Sequence, residues 1–286
     1  MSLTSTKTSQ NEYCIGVDVG TGSVRAALMT PQGKAIDLAV RGIKTWSPLP
    51  DYHQQSSENI WQAVCGAVKE ISSKVDKRSI KGIGFDGTCS LVALDEKMDP
   101  LSVSLNGESE QNIILWMDHR ATEETAFINS LNHPVLRYLG GKMSPEMASP
   151  KLLWLKKHLY TECWTKAAYF FELPDFLTWR ATDSTSRSMC TVSCSWTYET
   201  SPDSAKGWNL DYFRQLGLED LTMNNWEKIG NLGEKGLTAK AANELGLVEA
   251  TPVGTSIIDG NAGALGMICA REEHTPVTVD SVLCKL

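Results

Sequence analysis

The chain has little of what would mark a membrane protein, a disulfide scaffold or a nucleic-acid binder. No run approaches the ~18 consecutive apolar residues of a membrane-spanning helix. The polar start "MSLTSTKTSQNEY" has no apolar stretch of the kind that leads a secretory signal. Eight cysteines are scattered, at 14, 65, 89, 163, 190, 194, 269 and 284, without one Cys-x-x-Cys pair. That argues against zinc and disulfide frameworks and for buried thiols in a reducing compartment. Cationic excess is missing too: 27 Lys and Arg against 34 Asp and Glu leave a formal charge of −7. Such a surface has nothing to release phosphate counterions from DNA, RNA or an anionic membrane. P-loop, GxSxG and HExxH signatures are absent, and no tandem repeat recurs at a period of roughly 20–50 residues. The expectation is a cytoplasmic protein of one large domain or two modest ones, with neither nucleic acid nor membrane as partner.

What is present reads as a mixed α/β chain. Residues 1–11 form a polar lead-in expected to be disordered. "YCIGVDVG" and "SVRAALMT" have strand character around a Gly-Thr-Gly turn, and "AIDLAVRGIKT" continues after a "PQGK" turn. In "SENIWQAVCGAVKEISSKV" the period changes. Ile60, Val64, Val68, Ile71 and Val75 share one helical face, with Ser57 the expected N-cap. "IKGIGFDGTCSLVALD" then returns to strand. Further on, "IILWMDHRA" predicts a strand entering a helix at "ATEETAFINSLN", and "SPKLLWLKKHLY" a helix capped by Ser149 with Pro150 in its first turn. "AAYFFELPDFLTWRATD" predicts a strand, a loop at Pro174 and a helix. Residues 184–226 are rich in Ser, Thr, Asp and aromatics and end in short helices. "TPVGTSIIDGNAGALGMICA" predicts a strand, an Asp-Gly turn and a small-residue helix from about Ala262. This order implies a mixed β-sheet flanked by helices, with ligands gathering at the strand ends. Trp116, Trp154, Trp179 and Trp196 are assigned to the core, and His53, His119 and His133 are too isolated to suggest metal ligation.

Chemistry concentrates in three places. Asp18 ends an apolar strand and is either a turn former or a metal-organising carboxylate. The second reading gains from Gly20 and Gly22, which let amides approach an anion. Thr21 and Ser23 add hydroxyls, and Arg25 adds a fixed positive charge. Those are the parts needed to hold a polyphosphate while Asp18 holds its Mg²⁺. Asp259 in "SIIDGNAGALG" is either a helix cap or a carboxylate able to take a proton from a substrate hydroxyl. "FDGTCS" and "WMDHR" supply short donors and acceptors suited to a polyhydroxylated substrate, although Asp118 with Arg120 also reads as a local ion pair.

In order along the chain, "IGVDVGTGSVRAAL", "GIGFDGTCSLVALD", "LWMDHRA", "SPKLLWLKKH", "ELPDFLTWRATD", "SWTYE" and "GTSIIDGNAGALG" resemble the FGGY carbohydrate kinases, and within them the ribulokinase-like branch. The first segment is similar to the leading phosphate motif of the wider sugar kinase, Hsp70 and actin superfamily. The resemblance runs from about residue 12 to residue 270. It implies an actin-like ATPase fold of the ribonuclease H type and ATP-dependent phosphorylation of a sugar, D-ribulose to D-ribulose 5-phosphate being the best match. By position, Asp18 would organise Mg²⁺, and Gly20, Thr21, Gly22, Ser23 and Arg25 would lie near the ATP phosphates. Asp259 would be the general base with Asn261 beside it, and Asp86, Thr88, Cys89, Ser90 and Asp118 would line the sugar pocket.

Two departures stand out. Relatives often carry a Lys before the Trp of "WTY", where this chain has Ser195. Family members also have two domains of roughly 200–250 residues each, and the residue 271–286 tail matches nothing expected of the second. The chain therefore reads as the N-terminal kinase domain of a splice variant or truncated form, with the second kinase domain absent. The alternatives are an inactive variant acting as a sugar-binding or protein-interaction domain, and an actin- or Hsp70-like ATPase without a sugar. Homo-oligomerisation is left open.

Overall fold

A computed structural model describes residues 12–200, 207–223 and 236–269. The expected lead-in, the tail and the end of the 184–226 region lie outside these. Nine strands and eight α-helices are described, in the order β1 (Tyr13–Val19), β2 (Ser23–Met29), β3 (Ala35–Gly42), β4 (Gln54–Gln55), α1 (Ser57–Ser72), β5 (Ile80–Gly87), β6 (Leu91–Leu94), β7 (Ile113–Ile114), α2 (Thr122–Ser130), α3 (Ala148–His158), β8 (Tyr169–Glu172), α4 (Leu173–Thr182), α5 (Met189–Ser195), α6 (Leu210–Gln215), α7 (Ala239–Leu245), β9 (Ile257–Ile258) and α8 (Asp259–Cys269). No helix among the described residues is long and apolar enough to cross a membrane.

The strands form two sheets. The first has the order β3-β2-β1-β5-β9. Its β1–β2 and β2–β3 pairs are antiparallel, whereas β5 runs parallel to both β1 and β9. Period-2 alternation sends Ile15, Val17 and Val19 into the core and leaves Gly16 and Asp18 on the opposite face. Helix α1 covers the core face, burying Ile60, Val64, Val68 and Ile71. The second sheet, β4-β7-β6-β8, is buried on both faces. Val92 and Leu94 belong to the core shared with the first sheet, while Leu91 and Ala93 belong to a second core with α2, α3 and α6.

Several local expectations shift by a residue or more. Ser56, not Ser57, caps α1, its hydroxyl accepting from the Asn59 amide at 3.2 Å. Ser57 is already helical and buried, and it exchanges hydrogen bonds with Asn112. α3 begins at Ala148, which places Ser149 inside its first turn. There is no loop at Pro174, because proline fits the first turn of α4, where its missing N–H costs nothing. The strand expected across residues 113–121 shrinks to β7. No turn separates β9 from α8, whose first residue is Asp259.

Candidate active site

Parallel pairing brings three aspartates to one end of the first sheet. Asp18 stands opposite Asp86 between β1 and β5, and opposite Arg25 between β1 and β2. Gly87 stands opposite Ile258, so Asp259 emerges beside the same strand end. They open onto a cleft of about 670 Å³, where they are joined by Gly20, Thr21, Arg25, Thr88, Cys89 and Trp116, and by Gly260, Ala262 and Gly263 of α8.

The Arg25 guanidinium contacts Asp18 at 2.5 Å, with the two side chains 50% and 35% exposed. A Cβ at Gly20 would sit in ordinary contact with the guanidinium, 3.4 Å from Arg25 Nη1. The Gly20 amide closes the turn onto the Ser23 carbonyl at 3.1 Å. Asp86 faces the opposite electrostatic problem. Burial, then the charge of Asp18 and a hydrogen bond with it, then the charge of Asp259, push its carboxyl up to about 8. Burial also raises Asp259, opposed by the Gly260 amide that donates to its Oδ1 at 2.8 Å. Burial pushes the Cys89 thiol up to about 12, which keeps it protonated and poorly nucleophilic. Asp18 and Asp86 thus form a crowded carboxylate pair, with Asp18 matched by the Arg25 guanidinium.

No cluster of three or more His, Cys, Asp or Glu side chains among the described residues is set to hold a metal. A carboxylate pair facing a turn with amides and hydroxyls is the donor set that suits Mg²⁺, which takes one or two carboxylates and completes its shell with phosphates and water.

The remaining expected residues fall elsewhere. Gly22 and Ser23 complete the turn rather than the cleft wall, the Gly22 carbonyl accepting from Ile43. Ser90 is buried one layer behind, bonded to the Thr88 hydroxyl at 2.9 Å and to the Trp116 amide at 3.0 Å. Asp118 presents no surface to the cleft. It is fully buried with Arg120, which contacts both carboxylate oxygens and stacks 4.4 Å from the Tyr52 ring centroid and 4.9 Å from that of Trp154. Asn261 turns away from Asp259, donating to Cys190 Sγ at 3.0 Å in a separate groove between α5 and α8. Ser195 is buried too, as is Glu172, whose carboxyl burial raises to about 7.

Two further residues act here without a clear signal in the sequence. Trp116, assigned to the core from sequence, lines the cleft, its indole N–H donating to Thr21 Oγ1 at 3.0 Å. Lys151 is wholly buried and donates to the Leu115 and Trp116 carbonyls. The one available sequence signal was a lysine between the apolar positions of α3. Trp154 and Trp196 do lie in the core, and Trp179 packs against it.

Residues 13–266 match the family described as "FGGY family of carbohydrate kinases, N-terminal domain". The chain belongs to that family. Over 281 residues it is 50% identical to an FGGY carbohydrate kinase domain-containing protein of Xenopus laevis, covering 93% of this chain and 50% of the relative. It is 40% identical over 291 residues to a D-ribulokinase of Saccharomyces cerevisiae, covering 96% and 41%. The chain spans about half the length of the curated FGGY relatives it matches. Among solved structures, a ligand-bound xylulose kinase from Lactobacillus acidophilus superposes with a TM-score of 0.74 at 20% identity, over 90% of this chain and 50% of that one. That likeness shows the fold, the actin-like ATPase architecture of FGGY sugar kinases.

Proposed function

We propose that residues 12–270 are the N-terminal domain of a cytoplasmic ATP-dependent ketopentose kinase, with D-ribulose as substrate and D-ribulose 5-phosphate as product. The single observation carrying this reading is the row of Asp18, Asp86 and Asp259 at three parallel strand ends, facing the Gly20–Thr21 turn and Arg25. The choice of ketose is supported by the 40% identity to a D-ribulokinase. Asp18 would hold Mg²⁺, and Asp86, expected from the resemblance to line the sugar pocket, stands close enough to Asp18 to share that task; the ion when bound supplies charge neutralisation to the transferring phosphoryl group. Arg25 and the turn amides would meet the ATP phosphates. Asp259 takes the proton from the terminal sugar hydroxyl as that oxygen bonds to the γ-phosphorus and the bond to the ADP oxygen breaks. Its raised pKa suits this role, bringing the carboxylate nearer to neutrality than an ordinary aspartate. Thr88, with Ser90 fixing it from behind, offers hydroxyl contacts to the sugar.

A coupled assay over D-ribulose, L-ribulose, D-xylulose and glycerol tests the proposal, using this chain and a version extended through the second half of its relatives. D-ribulose turnover by the extended protein is expected, with Asp259→Asn reducing kcat on the order of 10³-fold while leaving the KM for ATP within about threefold. No turnover with any of these acceptors overturns it.

A further inference from the structure

One buried charged side chain behind the cleft belongs to none of the roles above. Lys151 on α3 is 1% exposed, and its amine is directed at two backbone oxygens, Leu115 O at 2.9 Å and Trp116 O at 3.2 Å. Taking an ammonium out of water is costly, and burial pushes this amine's pKa down. A methionine of similar length would fill the space without that cost. Packing alone does not explain the lysine.

Trp116 shows what the amine secures. Its amide N–H donates to Ser90 Oγ at 3.0 Å, its carbonyl accepts from Lys151, and its indole N–H donates to Thr21 Oγ1 at 3.0 Å. From the other side, Gln55 Nε2 donates to the Thr21 carbonyl at 2.8 Å. Thr21 is thus clamped by its hydroxyl and its carbonyl, and the hydroxyl clamp is anchored in α3 through Trp116. Where the chain leaves β7, the Leu115 amide still donates to the His53 carbonyl at 3.0 Å, but the Trp116 carbonyl lies past the β4–β7 pairing, and the lysine amine holds it.

We propose that Lys151 is a positioning residue which, by holding the Leu115 and Trp116 carbonyls, sets the Trp116 indole against Thr21 and so fixes the phosphate turn of the cleft. Its functional meaning rests on the kinase reading, but its geometry does not. The measurement is therefore hydrogen–deuterium exchange on the 286-residue chain, which requires no turnover. Lys151→Met is expected to speed exchange in a peptide covering residues 20–23 on the order of tenfold while α1 and β8 keep their protection. Trp116→Phe, which keeps the ring and deletes the indole N–H, should loosen the same peptide, and the double variant should exchange no faster than the faster single one. Lys151→Gln keeps an N–H donor at shorter reach and is judged by the same criteria if Lys151→Met fails to fold. The proposal is overturned by unchanged exchange at residues 20–23, by equal loosening of α1 and β8, or by effects that multiply in the double variant. A chain that fails the kinase assay yet passes this test would sink the function and leave the clamp standing.

Discussion

Two aspartate–arginine pairs look alike on the sequence and differ in almost every physical respect. Asp18–Arg25 bridges neighbouring strands at the cleft, is one-third to one-half exposed, and touches at a single atom pair. Asp118–Arg120 is wholly buried and multiply bonded. The Asp118 carboxylate also accepts from the His53 amide at 2.6 Å, and the Arg120 guanidinium donates to Val103 O at 2.9 Å between two aromatic rings. Exposed pairs contribute roughly 0–1 kcal/mol because water and salt screen them. A buried pair has already lost its hydration, so removing one partner strands the other charge. The first pair is therefore exchangeable, ready to trade partners for a phosphate or a cation, and the second is fixed.

The widest gap is expected from Asp118→Ala, which leaves Arg120 buried without its carboxylate. It should lose about 3–5 kcal/mol of stability, read from the urea unfolding midpoint. A loss under about 1 kcal/mol would erase the distinction between the pairs. The next effect belongs to Asp86, which crowds Asp18 from the other side. Its carboxyl titrates near 8 in the folded chain against an ordinary value of 3.8. Between those values the folded state holds a proton that the unfolded state has released. Stability contributed there is present at low pH and is lost as pH rises from about 4 to about 8. Asp86→Asn removes that slope. The variant should match the parent near pH 4 and exceed it by about 1 kcal/mol at pH 8.5, after allowance for solvent screening. Melting curves across that range decide it, and a parent that stabilises with rising pH would contradict the assignment. The smallest stability effect is expected from Arg25→Met, within about 0.5 kcal/mol of the parent. In the extended protein the same change should weaken ATP binding on the order of tenfold, measured by calorimetry.

The exchangeable pair was the legible one. Asp18, Gly20, Thr21 and Arg25 sit in one short stretch, so local spacing alone gathers one wall of the cleft. Asp259 was found because an apolar pair leads up to it. Asn261 was misplaced for a physical reason: the helix begins at Asp259 rather than three residues later. Each helical residue turns about 100°, so a side chain two positions on lies on the far side, while Ala262 and Gly263 return to the cleft. Turn propensity in Asp-Gly-Asn suggested otherwise, and pairing of β9 with β5 overrode it. Asp118 was open to two readings from sequence, and the ion pair is the one the fold uses. Trp116 and Lys151 were not legible, because their roles depend on α3 and β7 meeting across a long sequence separation. The four expected strands at the start of the chain, by contrast, rest on alternation and period, which are local.

One feature of the fold governs how the molecule comes apart. Strand β6 sends Val92 and Leu94 into one core and Leu91 and Ala93 into the other, and its backbone pairs with β7 and β8. Prising it out uncovers both oily interiors at once and breaks the ladder between them. Opening either core therefore disturbs the other, and the β6 amides are expected among the last to exchange with solvent.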